Sequence, residues 1–451
     1  MILTDNNTPR VKKMKIILQC ENGSFPYLTP FLVNKYFPSK EYKDHLVLGM
    51  AVRDTCVVPM FRDSNAKKSK KKKAFVVKEN RPVKRLRPDE SESNPDQNAD
   101  DSSNRCKPIG YTFDVPKTLL DCLEKVANGY DYLLVPTFDL LDDRKNGALS
   151  HTNSHIQLST YNGMTKITPE LYHKISHNLQ LGSVLSLYDQ PSTKKKKKKE
   201  QELQQLPICM QRTLSWLDQH LSDNNNNDNS QSKQELWSPL LLPDNEYIFE
   251  KDTNEMIQKV LEKSKRAKEQ VLTLVGWHHG NNQESILKNV QAQIELSPSS
   301  GTILAVLNSI DLFQFLLAAK SGVSYIGTSI PTQMAKSKKA LCIQPFLSEE
   351  TNTTNTHDLI LDLKETIYEK DSNPLIHGCT CISCCNEYAY SRSYIHHLIK
   401  AKELLGEILL FAHNLHQILL LVKQLSYLRE SSDTTKIQNL CSRIESKLSL
   451  K

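Results

Sequence analysis

Short apolar runs and helix-patterned stretches take turns along the middle of this chain, and that alternation constrains the fold more than any other feature. Tyr132–Phe138 (YLLVPTF) and Ser183–Tyr188 (SVLSLY) have the character of buried strands. Pro169–Leu181 reads as a helix. Thr168 stands at its N-cap and Pro169 at its first position, where a missing N–H costs nothing. Glu255–Gln270 is a charged amphipathic helix leading into the strand Val271–Val275. Thr302–Leu307, Ile310–Lys320 and Val323–Ile326 continue as strand, helix, strand. Such alternation implies a parallel sheet with helices outside it. The length and the number of units predict an α/β fold, a (β/α)8 TIM barrel in preference to an open sheet.

Not all of the 451 residues can belong to that core, because only 38% are hydrophobic. Three low-complexity segments lack apolar periodicity and are expected to be disordered insertions: 63–107, 192–205 and 222–234. They divide the chain into an N-terminal part of the barrel (1–62), the barrel proper (108–373, carrying the second and third insertions), a cysteine-rich motif with a long helix (374–427) and a helical tail (428–451). The net charge of +7 comes from two tracts. Lys67–Arg87 holds eleven Lys and Arg against one Glu, and Lys194–Lys199 adds six Lys; the rest of the chain is net acidic. The charge therefore implies no basic nucleic-acid face on the folded part. Arg81–Arg87 has the composition of a nuclear-localisation or RNA-contacting arm, and equally that of an insertion without a dedicated role.

Met1–Gln19 lacks the apolar run of a signal peptide, and no window has the ~20 apolar residues of a membrane span. The nearest, Ile408–Val422, contains His413, Asn414, His416 and Gln417. Tyr394, Leu398, Ala401, Leu405, Ile408, Ala412, Leu415, Leu419 and Val422 follow steps of three and four, which predicts one unbroken amphipathic helix. Its apolar face can pack on its own domain or lie in a subunit interface, and the pattern does not choose between them.

Four of the eleven cysteines crowd into Cys379–Cys385. Without a secretion signal, this favours a reducing compartment and a metal site over a disulfide scaffold. Cys379-Thr-Cys381-Ile-Ser-Cys384 places three thiolates where they can wrap one side of a tetrahedral ion, and a fourth ligand must come from elsewhere. His413, on the flank of the apolar stripe, is the leading candidate. Such a Cys3His set leaves no open position, so one zinc ion held there would be structural. Cys385 could replace Cys384, and His416, His396 or His397 could replace His413. Cys381-x-x-Cys384 could instead be a redox pair, although such pairs usually open a helix in a smaller βαβ context.

These residues resemble a known family. Cys379-x-Cys381-x-x-Cys384, then Ser391-Arg392-Ser393-Tyr394-Ile395-His396-His397-Leu398, then Glu403-Leu404-Leu405-Gly406, then His413-Asn414, is similar to the C-terminal zinc region of the tRNA-guanine transglycosylases, also called queuine tRNA-ribosyltransferases. The resemblance covers about 374–420 and implies Zn2+ ligands at Cys379, Cys381, Cys384 and His413. The stretch between Cys384 and Ser391 is about three residues longer than is usual in the family, which is the source of the Cys385 alternative.

A weaker resemblance runs upstream. Leu181–Asp189 looks like the family's guanine-pocket strand, which ends in an Asp. Gly322–Thr328 followed by Pro331-Thr332 looks like the segment whose second Asp is the nucleophile in active members. Alignment places Gly327 there, Ser324 at the first Asp and Gln333 at the following Arg. A glycine cannot form the covalent intermediate. The family's Asp-Ser-Gly-Gly segment survives only as Asp63-Ser64-Asn65, and Val275–Gly280 replaces flexible pocket residues with bulky ones.

A barrel that keeps the zinc module and loses the nucleophile resembles the family's accessory, non-catalytic subunit. The resemblance implies a catalytic partner subunit in a heterodimer and tRNA as substrate, with guanine exchanged for queuine at the wobble position of tRNAs bearing GUN anticodons (those for Asp, Asn, His and Tyr). It also implies a place in the cytoplasm or peripherally at the mitochondrial outer membrane. Arg392, His396, His397 and Lys400 are then candidates to meet tRNA phosphate or the partner. An active enzyme using another carboxylate, Asp189 or Asp311, and a zinc-stabilised scaffold without a tRNA role are the competing readings.

Overall fold

The computed structural model describes residues 13–20, 25–52, 129–136, 152–160, 163–179, 181–189, 199–226, 234–241, 251–264, 271–276, 283–295, 302–309, 311–347, 358–385 and 390–448. The expected insertion 63–107 lies outside them.

Eight parallel strands close into a barrel. The first two are β1 (Lys15–Gln19) and β2 (Leu46–Ala51), joined through the short helices α1 (Pro30–Tyr36) and α2 (Ser39–Tyr42). Next come β3 (Asp131–Val135), the antiparallel pair β4 (Ile156–Thr160) and β5 (Gly163–Ile167), α3 (Pro169–Leu179), β6 (Ser183–Leu185), α4 (Lys199–Asn226) and β7 (Glu235–Leu241). The second half holds α5 (Lys251–Ser264), β8 (Val271–Val275), α6 (Gln283–Glu295), β9 (Ile303–Ser309), α7 (Leu312–Lys320) and β10 (Tyr325–Thr328). Around the barrel the order is β1-β10-β9-β8-β7-β6-β3-β2, with β4 and β5 standing apart as a separate pair. The strands are buried on both faces, as parallel strands ringed by helices must be, which is why they read as apolar runs.

The helix caps follow local chemistry. Thr168 Oγ1 accepts the Leu171 amide at 3.1 Å and starts α3. Asp311 Oδ1 accepts the Gln314 amide at 2.8 Å, so α7 begins two residues later than its apolar pattern suggests. Helix α4 covers 199–226 and so extends into both segments expected as insertions there. The backbone from 199 to 205 and from 222 to 226 is helical, because a charged or Asn-rich sequence can continue a helix that its neighbours have nucleated.

A C-terminal module closes the chain: α8 (Ile330–Lys336), β11 (Lys339–Leu341) antiparallel to β12 (Ile360–Asp362), α9 (Arg392–Lys400), α10 (Leu404–Glu430) and α11 (Thr434–Leu448). One expectation is corrected here. The single long helix is two helices. The chain leaves α9 through Lys402, whose φ is +56°, with the Glu403 amide donating to Leu398 O and the Lys402 amide to Ile399 O. Lysine in this role carries no sequence signal, whereas glycine would have. Most of the long apolar face of α10 packs within its own chain, while Leu404, Leu405 and Tyr427 stay exposed. The packed part is covered by α8, α9, α11 and β11. By length and composition α10 could cross a membrane, but 78% of its apolar window lies inside the protein, as in a core helix.

Polar contacts tie this module to the bottom of the barrel. Ser426 Oγ accepts the Met14 amide at 3.1 Å. Arg429 donates to Val323 O and Ala319 O, each at 2.8 Å, and so caps the carbonyl end of α7. Burial pushes its guanidinium down to about 10.

Candidate functional site

Midway along the largely apolar helix α10 stands the run His413-Asn414-Leu415-His416-Gln417, and every residue of that run is buried. Buried polar groups need partners, and these find theirs in β11 and the cysteine loop. Asn414 Oδ1 accepts the Leu341 amide at 2.7 Å, while its Nδ2 donates to Lys339 O at 3.0 Å. Gln417 Oε1 accepts the amides of Ile343 and Gln344 at 3.0 and 2.8 Å. His413 Nε2 donates to Leu341 O at 3.0 Å. That bond fixes the tautomer and turns the Nδ1 lone pair the other way, toward the cysteines.

The cysteine loop meets it there. Gly378 has φ +75°, which the turn into Cys379 requires and glycine supplies without strain. The amides of Cys384 and Cys385 donate back to Cys381 O and curl the loop. Ser383 Oγ donates to Leu409 O at 2.7 Å and pins the loop to α10 one turn before His413. His413 Nδ1 then lies 3.3 Å from Cys381 Sγ and 3.5 Å from Cys384 Sγ. Gln417 Nε2 donates to Cys379 Sγ at 3.5 Å.

The ligand atoms of Cys379, Cys381, Cys384 and His413 all lie within 4.8 Å of one another, and all four residues are buried. The donor set fits a metal ion. A tetrahedral ion with bonds of ~2.3 Å to sulfur and ~2.1 Å to nitrogen places those atoms ~3.6 Å apart, close to the spacing found. Hydrogen bonds from Cys381 and Cys384 hold the Cys379 thiol well below its ordinary range, while Cys384 is pushed up to about 12 chiefly by its bond to Cys379. Two thiols thus crowd around one thiolate, and a divalent cation would stabilise all three sulfurs in the anionic form. Cys385 does not join the group: its Sγ donates to Ile382 O at 3.6 Å. His416 also stays outside it, with Nε2 3.5 Å from Thr380 Oγ1. The second-layer roles of Gln417, Asn414 and Ser383 escaped the sequence reading. The signal for Gln417 and Asn414 was a cluster of polar residues inside a largely apolar helix, and Ser383, in the cysteine loop, carried none.

The four candidate contact residues separate. His396 is a correction: it is 2% exposed and its Nδ1 donates to Leu363 O at 2.8 Å, so it faces the interior and not a partner. Arg392 is engaged within the chain, with Nη1 3.0 Å from Asp371 Oδ2 and Nη2 donating to Leu375 O. His397 is exposed, as is Lys400, which lies 3.5 Å from Glu369. Alternation on α9 makes the difference: adjacent residues point about 100° apart on a helix, so of two consecutive histidines one is buried and one is not.

With this module resolved, comparison with known proteins decides the family. The family model described as queuine tRNA-ribosyltransferase matches residues 138–443, well over half of the chain. The chain belongs to the queuine tRNA-ribosyltransferase family. It is 28% identical over 278 residues to queuine tRNA-ribosyltransferase accessory subunit 2 of Trichoplax adhaerens, covering 59% of this chain and 63% of that one. The accessory subunit 2 of Drosophila grimshawi is 33% identical over 129 residues, 29% of this chain and 28% of its own length. A queuine tRNA-ribosyltransferase of Helicobacter acinonychis (strain Sheeba) is 39% identical over 82 residues, 18% of this chain and 21% of that one. The matched segments span less than two thirds of each of these relatives.

In queuine tRNA-ribosyltransferases the chemistry belongs at the mouth of the barrel, at the carboxyl ends of the strands. There the backbone itself closes the position aligned with the nucleophile. Between Ile326 and Thr328 the pairing of β10 with β9 shifts register, a bulge of the kind common near active sites. Ser309 Oγ donates to Gly327 O at 3.0 Å. A Cβ atom on Gly327 would fall 1.5 Å from the Leu307 carbonyl oxygen and 2.3 Å from its carbon. Asp189, after β6, is 1% exposed and pairs with Arg212 of α4 at 2.9 Å, and Arg212 Nε in turn reaches Asn153 Oδ1 at 2.7 Å. Asp311 is occupied as the cap of α7. Asp63-Ser64-Asn65 and 277–280 lie outside the described residues.

Proposed function

We propose that this chain is the non-catalytic subunit of a heterodimeric queuine tRNA-ribosyltransferase, the enzyme that exchanges guanine for queuine at the wobble position of tRNAs with GUN anticodons. The observation that carries this reading is Gly327. At the position aligned with the attacking carboxylate there is no side chain, and the adjoining strand leaves no room for one. Nucleophilic catalysis by a carboxylate needs both. The two remaining candidate carboxylates are held in other work, Asp189 by Arg212 and Asp311 by the α7 amide. The names of the accessory relatives agree with this reading.

The retained role is shape. A Zn2+ ion on Cys379, Cys381, Cys384 and His413 would fill its tetrahedron with protein ligands and leave no place for an activated water, so the metal supplies rigidity and not chemistry. It fastens the loop that precedes α9 to α10, and so fixes the surface bearing His397 and Lys400, which we assign to contact with tRNA or the partner. The cytoplasm, or the cytoplasmic face of the mitochondrial outer membrane, is the proposed place of action.

Co-expression with a catalytic family member tests this reading. Labelled guanine exchange into tRNA should require both chains, and this chain alone should show none. Exchange by this chain alone would overturn it. Failure of the pair to co-purify or to exceed the catalytic chain's own rate would favour a scaffold without a tRNA role.

A further inference from the structure

A second group of metal-ligating side chains lies away from the cysteine module, on the outer helices of the barrel. His173 and His177 stand one turn apart on α3, a spacing that puts both rings on the same helix face. His220 comes across from α4 and meets His173. Its ring centroid is 5.2 Å from that of His173, and the His173 and His177 centroids are 6.4 Å apart. The three imidazoles form a row from interior to solvent: His220 is 5% exposed, His173 half-buried, His177 exposed.

His220 makes the row look like more than packing. Its Nε2 is buried and has no hydrogen-bond partner among the described residues. The ring stands edge-on to Tyr172 and to His173 at the boundary of α3 and α4. Tyr172, which packs edge-on against it, offers that nitrogen nothing, because its hydroxyl donates to Leu185 O at 2.5 Å. An unsatisfied buried acceptor costs about 1–3 kcal/mol, and a metal ion is one of the few ligands that would repay that cost beside two further imidazoles.

Spacing supports the assignment. An imidazole centroid sits roughly 3.2 Å from an ion bound through nitrogen, so two ligands at the tetrahedral angle have centroids ~5 Å apart. The His173–His220 distance meets this directly. The His173–His177 distance is about one ångström longer, and the ring nitrogens of the three residues do not yet converge as those of the cysteine module do. His177 is on the surface and can swing by side-chain rotation alone.

We propose that His173, His177 and His220 bind a second divalent ion of the borderline type that imidazole favours, Zn2+ foremost. Three nitrogens leave one position open to solvent, so this ion would exchange more readily than one enclosed by the cysteine module. Bound, it would clamp α3 to α4 on the barrel wall. This site is independent of the tRNA reading and uses none of the residues assigned there.

Titration of the tag-free full chain with Co2+ and Zn2+ tests the assignment. Two equivalents are expected. The first should give the thiolate-to-metal charge-transfer absorption of the cysteine module, and the second should add only the weak bands of nitrogen ligation. His177→Gln, on the surface, should weaken the second equivalent at least tenfold in competition with a chromophoric chelator and leave the first unchanged. His220→Gln should do the same, and if that variant melts early, His173→Gln combined with His177→Gln takes its place. Uptake of one equivalent only, or a second equivalent indifferent to His177→Gln and to His173→Gln, would overturn the proposal.

Discussion

At the scale of single residues, the barrel mouth and the metal centre obey opposite rules. Gly327 has no side chain and the Leu307 carbonyl fills the space beside it, so on the proposed function Gly327→Asp should restore no guanine exchange. It should instead destabilise the chain by about 3 kcal/mol or more, because overpacking against a main-chain carbonyl cannot be relieved by a rotamer change. A denaturant midpoint unchanged from wild type would contradict this. Gln417 spans three partners, two amides and the Cys379 sulfur. Gln417→Leu should cost about 1–3 kcal/mol in thermal unfolding through the orphaned amides and raise the rate of metal loss to a chelator. His220 bears on pH. Its folded value, near 3, is below that of the unfolded chain, so below about 6.5 the unfolded state binds the extra proton and stability falls as acid is added. In His220→Gln, denaturation measured between pH 7 and 5 should show a shallower loss than in the wild type.

At the scale of elements, the reading of strands and helices succeeded where periodicity is strong and failed where a turn depends on unusual backbone. Val271–Val275 is a strand at the bounds its composition predicts, and Thr168 caps α3 as its residue type predicts. Helices α9 and α10, in contrast, merge in the sequence into one apolar stripe. Only the geometry of Ala401–Glu403 separates them, with Lys402 in the left-handed region. Lys402→Gly should therefore stabilise the chain by about 0.5–1 kcal/mol, the strain relieved exceeding the added entropy of the unfolded chain. Equilibrium denaturation checks it, and a loss of stability would show that the Lys402 side chain matters more than its backbone. Within α9 the neighbouring His396 and His397 could not be told apart by residue type. The helix phase assigns one to the core and the other to the surface.

For the whole molecule, the cysteine and histidine cluster stands at a joint. It lies where the cysteine loop, β11 and α10 meet, and α10 continues to the floor of the barrel, where Ser426 holds Met14 and Arg429 caps α7. Loss of the ion should therefore loosen more than the cysteine loop. Chelation of the purified chain should lower its melting temperature by several degrees and increase proteolysis within 375–385, with recovery on adding Zn2+. Cys384→Ser should reproduce the chelated state and Cys385→Ser should not, since Cys384 lies with the ligand cluster and Cys385 donates away from it.

The order of strands and helices and the presence of a cysteine-rich motif followed by a polar run in an apolar helix were determined by the sequence, because each rests on residue type at a fixed spacing. Tertiary structure alone decided which cysteine and which histidines face the cluster, that most of the apolar stripe of α10 is consumed within its own chain, and that the space beside Gly327 is shut. These are matters of three-dimensional proximity. A side chain's neighbours in the fold come from strands and helices well separated along the chain, and no local pattern encodes the distance between Gly327 and the carbonyl of Leu307, or between His220 and the helix it meets.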